Sequence, residues 1–267
     1  VDAREAWGDR PHRWRLPGLH TDETQQALSV AAAAIPSGDA TPRAVAGLWL
    51  RLAHAGRSQS RPLGALRGTG PTFRRALDAL QRREEFTGQP SAGSGAVARA
   101  VPLAVILRGE PEALSRAVIA LSLPTHSDAR AIAGALAAAH AVEMLIAGES
   151  DTSRLLEGLA ERVHAGEERM LIDHLGSLHL RSPDPAVDTL HAMSRALAAL
   201  AGLIAEGDDA LAEHTLLRQA NHLAPSQPVT AVSSGFAPAL VPAALYHALA
   251  HSSPARALSR LAGAGKD

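Results

Sequence analysis

The sequence of 267 residues contains no cysteine. This absence excludes disulfide bonds, thiolate catalysis and zinc sites built from cysteine. Nothing in the sequence indicates an oxidising compartment, so we expect a cytoplasmic protein. No charge of one sign dominates either: 26 lysines and arginines oppose 27 aspartates and glutamates, which gives a formal net charge of -1. The sequence therefore offers no general electrostatic basis for binding nucleic acid or a membrane surface.

Aromatic residues make up only 3% of the chain, although 46% of it is hydrophobic. Most of the hydrophobic fraction must then be alanine, leucine and valine, a composition typical of closely packed helices. Charged residues interrupt the apolar stretches before they reach the roughly 18 residues of a membrane-spanning helix, so we expect no membrane span. The N-terminus is unlike a signal peptide, because it carries Asp2, Arg4, Glu5 and Asp9.

Helical periodicity recurs along the chain. The clearest helix is predicted from Asp184-Pro185 to Glu206, where apolar residues repeat at three and four positions. The members of this stripe are Val187, Leu190, Met193, Leu197, Leu200 and Ile204. Other helix starts are predicted at Thr41-Pro42, Gly70-Pro71, Ser127-Asp128 and Ser253-Pro254. These patterns predict about ten helices in one compact all-α domain over residues 1–267, without the fixed repeat of a solenoid.

The densest group of oxygen ligands lies directly before an apolar run. It consists of Thr21, Asp22, Glu23 and Thr24. Threonine and aspartate are favoured N-caps, and acidic residues suit the first turn of a helix, so capping alone could explain the segment. The absence of lysine and arginine from residues 19–41 leaves these oxygens without a positive neighbour in the sequence. That environment favours a second interpretation, a site for magnesium, manganese or calcium.

A group of small residues, residues 88–99, forms a predicted loop that opens into a helix. Gly93 and Gly95 remove side chains so that the backbone can approach a ligand, and a helix N-terminus offers N–H groups to an anion such as phosphate. The segment lacks the lysine of a P-loop and the glycine spacing of a dinucleotide-binding fold. An ordinary connecting loop therefore remains the alternative.

Two histidine patterns accompany these segments. His126 is expected just outside a helix that Ser127 or Asp128 caps, where its ring is free to point into a cleft. His247 and His251 have the i, i+4 spacing of a helical metal site. No acid lies between them and no third ligand is evident nearby, so we interpret this pair as structural or solvated.

Taken in order, these segments resemble the ADP-ribosylglycohydrolase family, the ADP-ribosyl-acceptor hydrolases, which includes the enzyme that removes ADP-ribose from dinitrogenase reductase. Residues 21–24 match the family's Thr-Asp-Asp-Thr metal motif, with Glu23 in place of the second aspartate. Residues 93–99 match a Gly-Asn-Gly loop followed by Met-Arg, with Ser94 and Ala98 as the differences. Residues 125–128 match Thr-His-x-Asp, and residues 233–236 are similar to a turn whose aromatic residue faces the nucleotide.

The resemblance implies an all-α hydrolase that uses two Mg²⁺ ions to separate ADP-ribose from an acceptor. It assigns metal binding to Thr21, Asp22, Glu23 and Asp267, with Asp22 or Glu23 assisting proton transfer. Asp267 would belong to the family's second metal motif, Gly-Gly-Asp-x-Asp-Thr, and should lie close to Asp22 in space. The residues that the resemblance assigns to ADP-ribose binding are Ser91, Gly93, Ser94, Gly95, His126 and Phe236.

The sequence departs from the family pattern at both ends. It stops at the first aspartate of the second metal motif, and residues 1–20 contain nothing like the Gly-Asp-rich segment that normally precedes the first motif. We therefore expect either a fragment of an active hydrolase or a degenerate relative that binds ADP-ribose, or acts as a scaffold, without catalysis. A helical interaction domain with no ligand is the third alternative. Asp22 is expected to be exposed, so that Asp22→Asn would leave the fold intact.

Overall fold

The computed structural model describes residues 20–36, 38, 40–57, 66, 68–82, 88–178, 191–224 and 228–264. Eleven α-helices and no β-strand lie within these residues, which confirms the all-α prediction. The first five are α1 (Asp22–Ala34), α2 (Pro42–Arg57), α3 (Pro71–Gln81), α4 (Val97–Ile106) and α5 (Pro111–Ser122). The other six are α6 (Ala129–Ile146), α7 (Thr152–His174), α8 (Ala192–Glu206), α9 (Asp209–His222), α10 (Ala237–Ala250) and α11 (Pro254–Gly263). Short 3-10 turns at Ser94–Ala96 and Leu175–Ser177 precede α4 and follow α7.

Most helix starts follow the local sequence signals. Proline occupies the first position of α2, α3 and α11, where its fixed φ and missing N–H suit the first turn. Asp128 caps α6, because its side chain accepts a hydrogen bond from the N–H of Arg130. The start of α8 differs from the prediction. His191 has a left-handed φ of 56°, so the helix begins at Ala192, and the predicted start at residues 184–185 lies outside the described residues.

The central helix is α6, which packs against α4, α5, α7, α8 and α10. Two glycines let its neighbours approach. A Cβ at Gly134 would lie 3.1 Å from the Cβ of Ala237 in α10, and a Cβ at Gly166 of α7 would lie 2.7 Å from Cδ1 of Leu136. Such close approach allows small side chains to fill the interior at high density. One apolar cluster accordingly includes buried residues from every helix between α1 and α10.

By length and composition alone, α6 could cross a membrane. Arg130 and Glu143 are the only Lys, Arg, Asp or Glu among its 18 residues. By these criteria, the expectation that the chain has no membrane span does not hold for this helix. However, 78% of this helix is buried by the rest of the protein. Burial on all sides is what an apolar helix requires at the centre of a helical core.

Candidate active site

Asp22 begins α1 and is almost completely buried, with 3% of its surface exposed. Gln26, one turn later, donates through Nε2 to Oδ2 of Asp22 over 2.7 Å. The other carboxylate oxygen, Oδ1, is buried and has no hydrogen-bond partner among the described residues. The side chain of Thr21 makes no capping hydrogen bond. Side-chain capping therefore does not explain Thr21. A cation beside Oδ1 of Asp22 would satisfy this buried oxygen.

The protonation of Asp22 reflects the same environment. Burial raises the pKa of Asp22 to about 7, and the neighbouring Glu23 carboxylate adds to the rise. A cation beside Oδ1 would lower this pKa because it favours the charged form. Gly68 adjoins this atom: a Cβ there would lie 3.5 Å from Oδ1, an ordinary contact distance, and its φ of 81° favours glycine. The residues at the start of α1 thus fit a hard cation.

The expectation that Asp22 is exposed is wrong, and the reason is a contact with a distant loop. The N–H of Leu66 donates to Oε1 of Gln25 on α1, and Gly68 of the same loop lies against the Asp22 carboxylate. Glu23, by contrast, is exposed. Two adjacent carboxylates therefore occupy different environments, one dehydrated and fixed and the other accessible from solvent.

The glycine-rich loop is tied to the segment that precedes α6. The N–H of Gln89 donates to the carbonyl of Thr125 over 3.0 Å, and the N–H of Ser127 donates to the carbonyl of Gln89 over 2.9 Å. Gly88 makes this contact possible, since a Cβ there would lie 2.3 Å from the backbone oxygen of Leu123. No side chain fits at this position unless one of the two backbones moves.

Gly88→Ala should therefore disrupt the loop, whereas Gly70→Ala should have little effect. Gly70 has no heavy atom within 4 Å of its Cβ position, and its φ is -69°. We expect Gly88→Ala to lower the free energy of unfolding by about 2 kcal/mol or more, as other steric changes in packed sites do. Gly70→Ala should cost less than about 1 kcal/mol. Urea unfolding measures both, and equal midpoints for the two variants would contradict the packing assigned to Gly88.

A second contact joins the loop to the start of α10. Gly93 pairs with Phe236 in an isolated antiparallel bridge, beside which the N–H of Ser94 donates to the carbonyl of Gly235 over 2.8 Å. The Phe236 ring is half-buried, and the guanidinium carbon of Arg130 lies 5.6 Å from its centre. The aromatic residue and the small-residue loop are thus immediate neighbours, although more than a hundred residues separate them in the sequence.

His126 lies beneath this loop and is not free in a cleft, so that expectation is wrong. Only 1% of the residue is exposed, and a Cβ at Gly95 would lie 3.2 Å from Cε1 of its ring. Its Nδ1 lies 2.8 Å from the hydroxyl of Thr125. Burial and the nearby Arg99 guanidinium lower the pKa of His126 to about 3. The ring is therefore neutral at pH 7, where it can make hydrogen bonds but carries no positive charge.

One buried arginine connects all of these segments. Arg99 is 1% exposed, and its Nη1 donates to Oε1 of Gln26 over 2.9 Å and to the carbonyl of Gly95 over 3.3 Å. Its Nη2 donates to the hydroxyl of Thr125. Since Gln26 also holds Asp22, a continuous series of hydrogen bonds runs from Asp22 to Thr125. Burial lowers the pKa of Arg99 to about 9, so the guanidinium still carries its charge at pH 7.

The structure brings together most of the residues that the sequence indicated. The members of this group are Asp22, Ser91, Gly93, Ser94, Gly95, His126 and Phe236. Asp267 lies outside the described residues, so its proximity to Asp22 stays a prediction. Gln26 and Arg99 were not among the predicted site residues. The i, i+4 spacing of Gln26 from Asp22 could have identified the first, whereas two of the three partners of Arg99, Gln26 and Thr125, are distant in sequence.

Comparison with known proteins identifies the family of the chain. A family model described as ADP-ribosylglycohydrolase matches residues 2–267. The family is a class of all-α, metal-dependent hydrolases. The chain belongs to the ADP-ribosylglycohydrolase family, which confirms the resemblance found in the sequence. No match was found among curated proteins.

Proposed function

We propose that the protein hydrolyses the glycosidic bond between ADP-ribose and an acceptor, with Mg²⁺ bound at the start of α1. The observation that carries this proposal is the hydrogen-bond network of Arg99. It connects a buried carboxylate, a glycine-rich loop and a buried histidine, which are separate in sequence. A carboxylate pair or a glycine-rich loop alone would not indicate this reaction, and family membership supports a glycohydrolase.

The ADP-ribose group would bind with its diphosphate at the loop that contains Ser91, Gly93, Ser94 and Gly95. The 3-10 turn at Ser94–Ala96 leads into α4. The N–H of Ser94 already donates to the carbonyl of Gly235, so the diphosphate would meet the N–H groups of the residues that follow it. His126 would contribute a neutral hydrogen-bonding group below the loop. Phe236 would offer an aromatic face for stacking against the nucleotide.

The carboxylate site would hold Mg²⁺ through Thr21, Asp22 and Glu23, with Asp267 as a ligand from the second motif. An all-oxygen donor set suits this ion, and the buried Oδ1 of Asp22 has no other partner among the described residues. When bound, Mg²⁺ would supply positive charge that polarises the ribose hydroxyls and the attacking water. Without the ion, Asp22 remains a carboxyl with a raised pKa.

Glu23 is the residue best suited to proton transfer, because it is exposed and adjacent to the fixed Asp22. Water would add to the anomeric carbon while the bond to the acceptor breaks, through a transition state with oxocarbenium character. Glu23, or Asp22, would accept one proton from that water, and the departing atom of the acceptor would take up one proton in return. The products are ADP-ribose and the free acceptor, which could be an arginine, a serine, a nucleobase or a small molecule.

A second candidate is a protein of the same fold that binds ADP-ribose without hydrolysing it. The observation that favours it is Glu23, which stands where the family motif has aspartate. Glutamate is one methylene longer, and a shift of this size at a reacting group can cost a large part of the rate. Binding at the loop does not depend on this residue.

Calorimetry with ADP-ribose tests both candidates, with and without Mg²⁺. We expect binding that Mg²⁺ strengthens, together with release of ADP-ribose from arginine-linked or serine-linked substrates.

Gly95→Ala should weaken binding about tenfold, or by about 1.4 kcal/mol, because its Cβ presses on His126. Gly202→Ala is the matched control, since its Cβ position has no neighbour within 4 Å. Binding without release would support the second candidate, and no binding in either condition would leave only an interaction domain.

A further inference from the structure

Two pairs of metal-binding side chains face each other across α9 and α10, at a distance from the site described above. His247 and His251 are four residues apart at the end of α10, and Asp209 and Glu213 are four residues apart at the start of α9. Residues with this spacing lie on one face of a helix. The acidic partners that the sequence did not reveal are thus supplied by another helix. The interpretation of the histidines as a pair without a third ligand nearby is therefore wrong.

The separations between these side chains are those of ligands around one ion. Nε2 of His247 lies 3.1 Å from Oε1 of Glu213, and Nε2 of His251 lies 3.4 Å from Oδ1 of Asp209. Ligand atoms of Asp209, His247 and His251 all lie within 4.8 Å of one another. Glu213 is not a member of this group, and it approaches through its contact with His247. Zinc bound at 2.0–2.1 Å by four ligands separates neighbouring ligand atoms by about 3.3 Å. Small side-chain rotations would therefore close the group around a tetrahedral ion.

His247 is buried and His251 is half-buried, and each has a ring nitrogen without a hydrogen bond to any described residue. Their side chains are 1% and 9% exposed, for His247 and His251 respectively. Nδ1 of His247 and Nε2 of His251 make no hydrogen bond within the part of the chain that the structure describes. The rings are stacked, with centroids 5.7 Å apart. Two protonated rings at this distance would repel each other, whereas two neutral rings could share one cation.

Asp209 is oriented by groups that leave it available to a metal. The hydroxyl of Tyr246 donates to its Oδ1 over 3.2 Å, and Nε of Arg260 lies 3.3 Å from its Oδ2. Carboxylate ligands are commonly fixed by such outer hydrogen bonds. The side chain of Arg260 is 53% exposed, so it can stay paired with Oδ2 of Asp209 or turn into solvent. The two carboxylates together carry two negative charges, and the guanidinium of Arg260 offsets part of the charge at Asp209.

We propose that Asp209, Glu213, His247 and His251 form a closed site for one zinc-like divalent cation that joins α9 to α10. With Glu213 turned in as the fourth ligand, the ion would have no open position, which is characteristic of structural rather than catalytic zinc. The site is separate from the proposed active site, because His247 lies eleven residues beyond Phe236 on the same helix, roughly 16 Å along its axis. His251 also begins the connection to α11, which has no buried residue of its own. The ion would therefore anchor the last described helix, which precedes Asp267.

Titration of the full chain with Co²⁺ tests the site directly. Four-coordinate cobalt with imidazole ligands absorbs far more strongly in the visible than six-coordinate cobalt with oxygen ligands. Visible absorption therefore distinguishes Co²⁺ at the proposed site from Co²⁺ at Asp22. We expect one equivalent of strongly absorbing Co²⁺ that Zn²⁺ displaces. Asp209→Asn and His251→Ala should each weaken binding by more than about a hundredfold, since changes even beyond the ligands cost 10–100-fold. His214→Ala is the matched control, because it is exposed on α9 and outside the cluster.

A second measurement distinguishes loss of the metal site from unfolding of a variant and from binding at the other possible metal group. Asp209→Asn keeps the side-chain shape, so it tests the proposal even if His251→Ala does not fold. Zn²⁺ at a hundred times its dissociation constant should raise the ratio of folded to unfolded wild type about a hundredfold, but not that of Asp209→Asn. His164, Glu168 and His191 also lie within metal-binding distance of one another. Cobalt absorption that survives Asp209→Asn and disappears with His191→Ala would overturn the proposal, as would its absence from the wild type.

Discussion

Asp22→Asn is expected to remove magnesium-dependent release of ADP-ribose and, in the metal-free protein, to raise stability at neutral pH. The substitution preserves the shape of the side chain and its contact with Gln26, but it removes the negative charge. Metal ions contribute several kcal/mol to catalysis in such hydrolases, and about 1.4 kcal/mol corresponds to a tenfold change in rate. The rate should therefore fall by orders of magnitude.

The stability change has the opposite sign because of the protonation of Asp22. Its pKa is about 7 in the folded protein, against an ordinary value of 3.8. A carboxyl whose pKa rises on folding favours the folded state most below its unfolded pKa, and this contribution is lost as the pH rises through about 7. Asparagine has no charge to desolvate and avoids this loss. Mg²⁺ should restore stability to the wild type only, since a ligand that binds only the folded state stabilises it.

A true capping aspartate provides the comparison. Asp151 accepts a hydrogen bond from the N–H of Arg154 over 2.9 Å at the start of α7. Asp151→Ala should lower stability by about 1 kcal/mol, without altering catalysis or the response to Mg²⁺. Thermal unfolding at pH 5 and pH 8, with and without Mg²⁺, separates the two variants. If Asp22→Asn kept the wild-type rate, Asp22 would be only a residue in the first turn of a helix.

The parts of the fold that depend on local chemistry were predictable from the sequence. Proline at the first position identified the starts of α2, α3 and α11, and Asp128 identified the start of α6. His191 shows the limit of this approach, because apolar spacing continues through a residue whose backbone is left-handed. Periodicity records which face of a segment is apolar but not where the backbone leaves the helix.

The environments of the site residues were not predictable, because distant residues create them. Gly68 contributes to the burial of Asp22, and Gly95 leaves space for the ring of His126. Both effects depend on a loop that becomes a neighbour only after folding, and the second also depends on the absence of a side chain at Gly95. The motifs predicted candidate residues for the chemistry, whereas burial determines the protonation of these residues.

Arg99→Met is expected to destabilise the protein strongly, although Arg99 is not a candidate ligand of either Mg²⁺ or the nucleotide. The change leaves acceptors on Gln26, Gly95 and Thr125 without their donor. A buried acceptor that loses its partner costs about 1–3 kcal/mol. Removing the desolvated charge offsets part of this cost, so we expect a net loss of about 2–4 kcal/mol. Urea unfolding measures this change, and a loss below about 1 kcal/mol would contradict the network.

Arg99→Lys separates positioning from stability. Lysine keeps the charge but cannot reproduce the planar fork that reaches three acceptors, so Asp22 and Thr125 should lose their fixed relative position. We expect the affinities for Mg²⁺ and ADP-ribose to fall together, each about tenfold, or by about 1.4 kcal/mol. Arg162→Lys is the matched control, because Arg162 pairs with the buried Glu143 away from the site. If both lysine variants lost stability equally and neither affinity changed, Arg99 would be a packing residue, whereas a paired loss of both affinities would identify it as the residue that positions the two halves of the site.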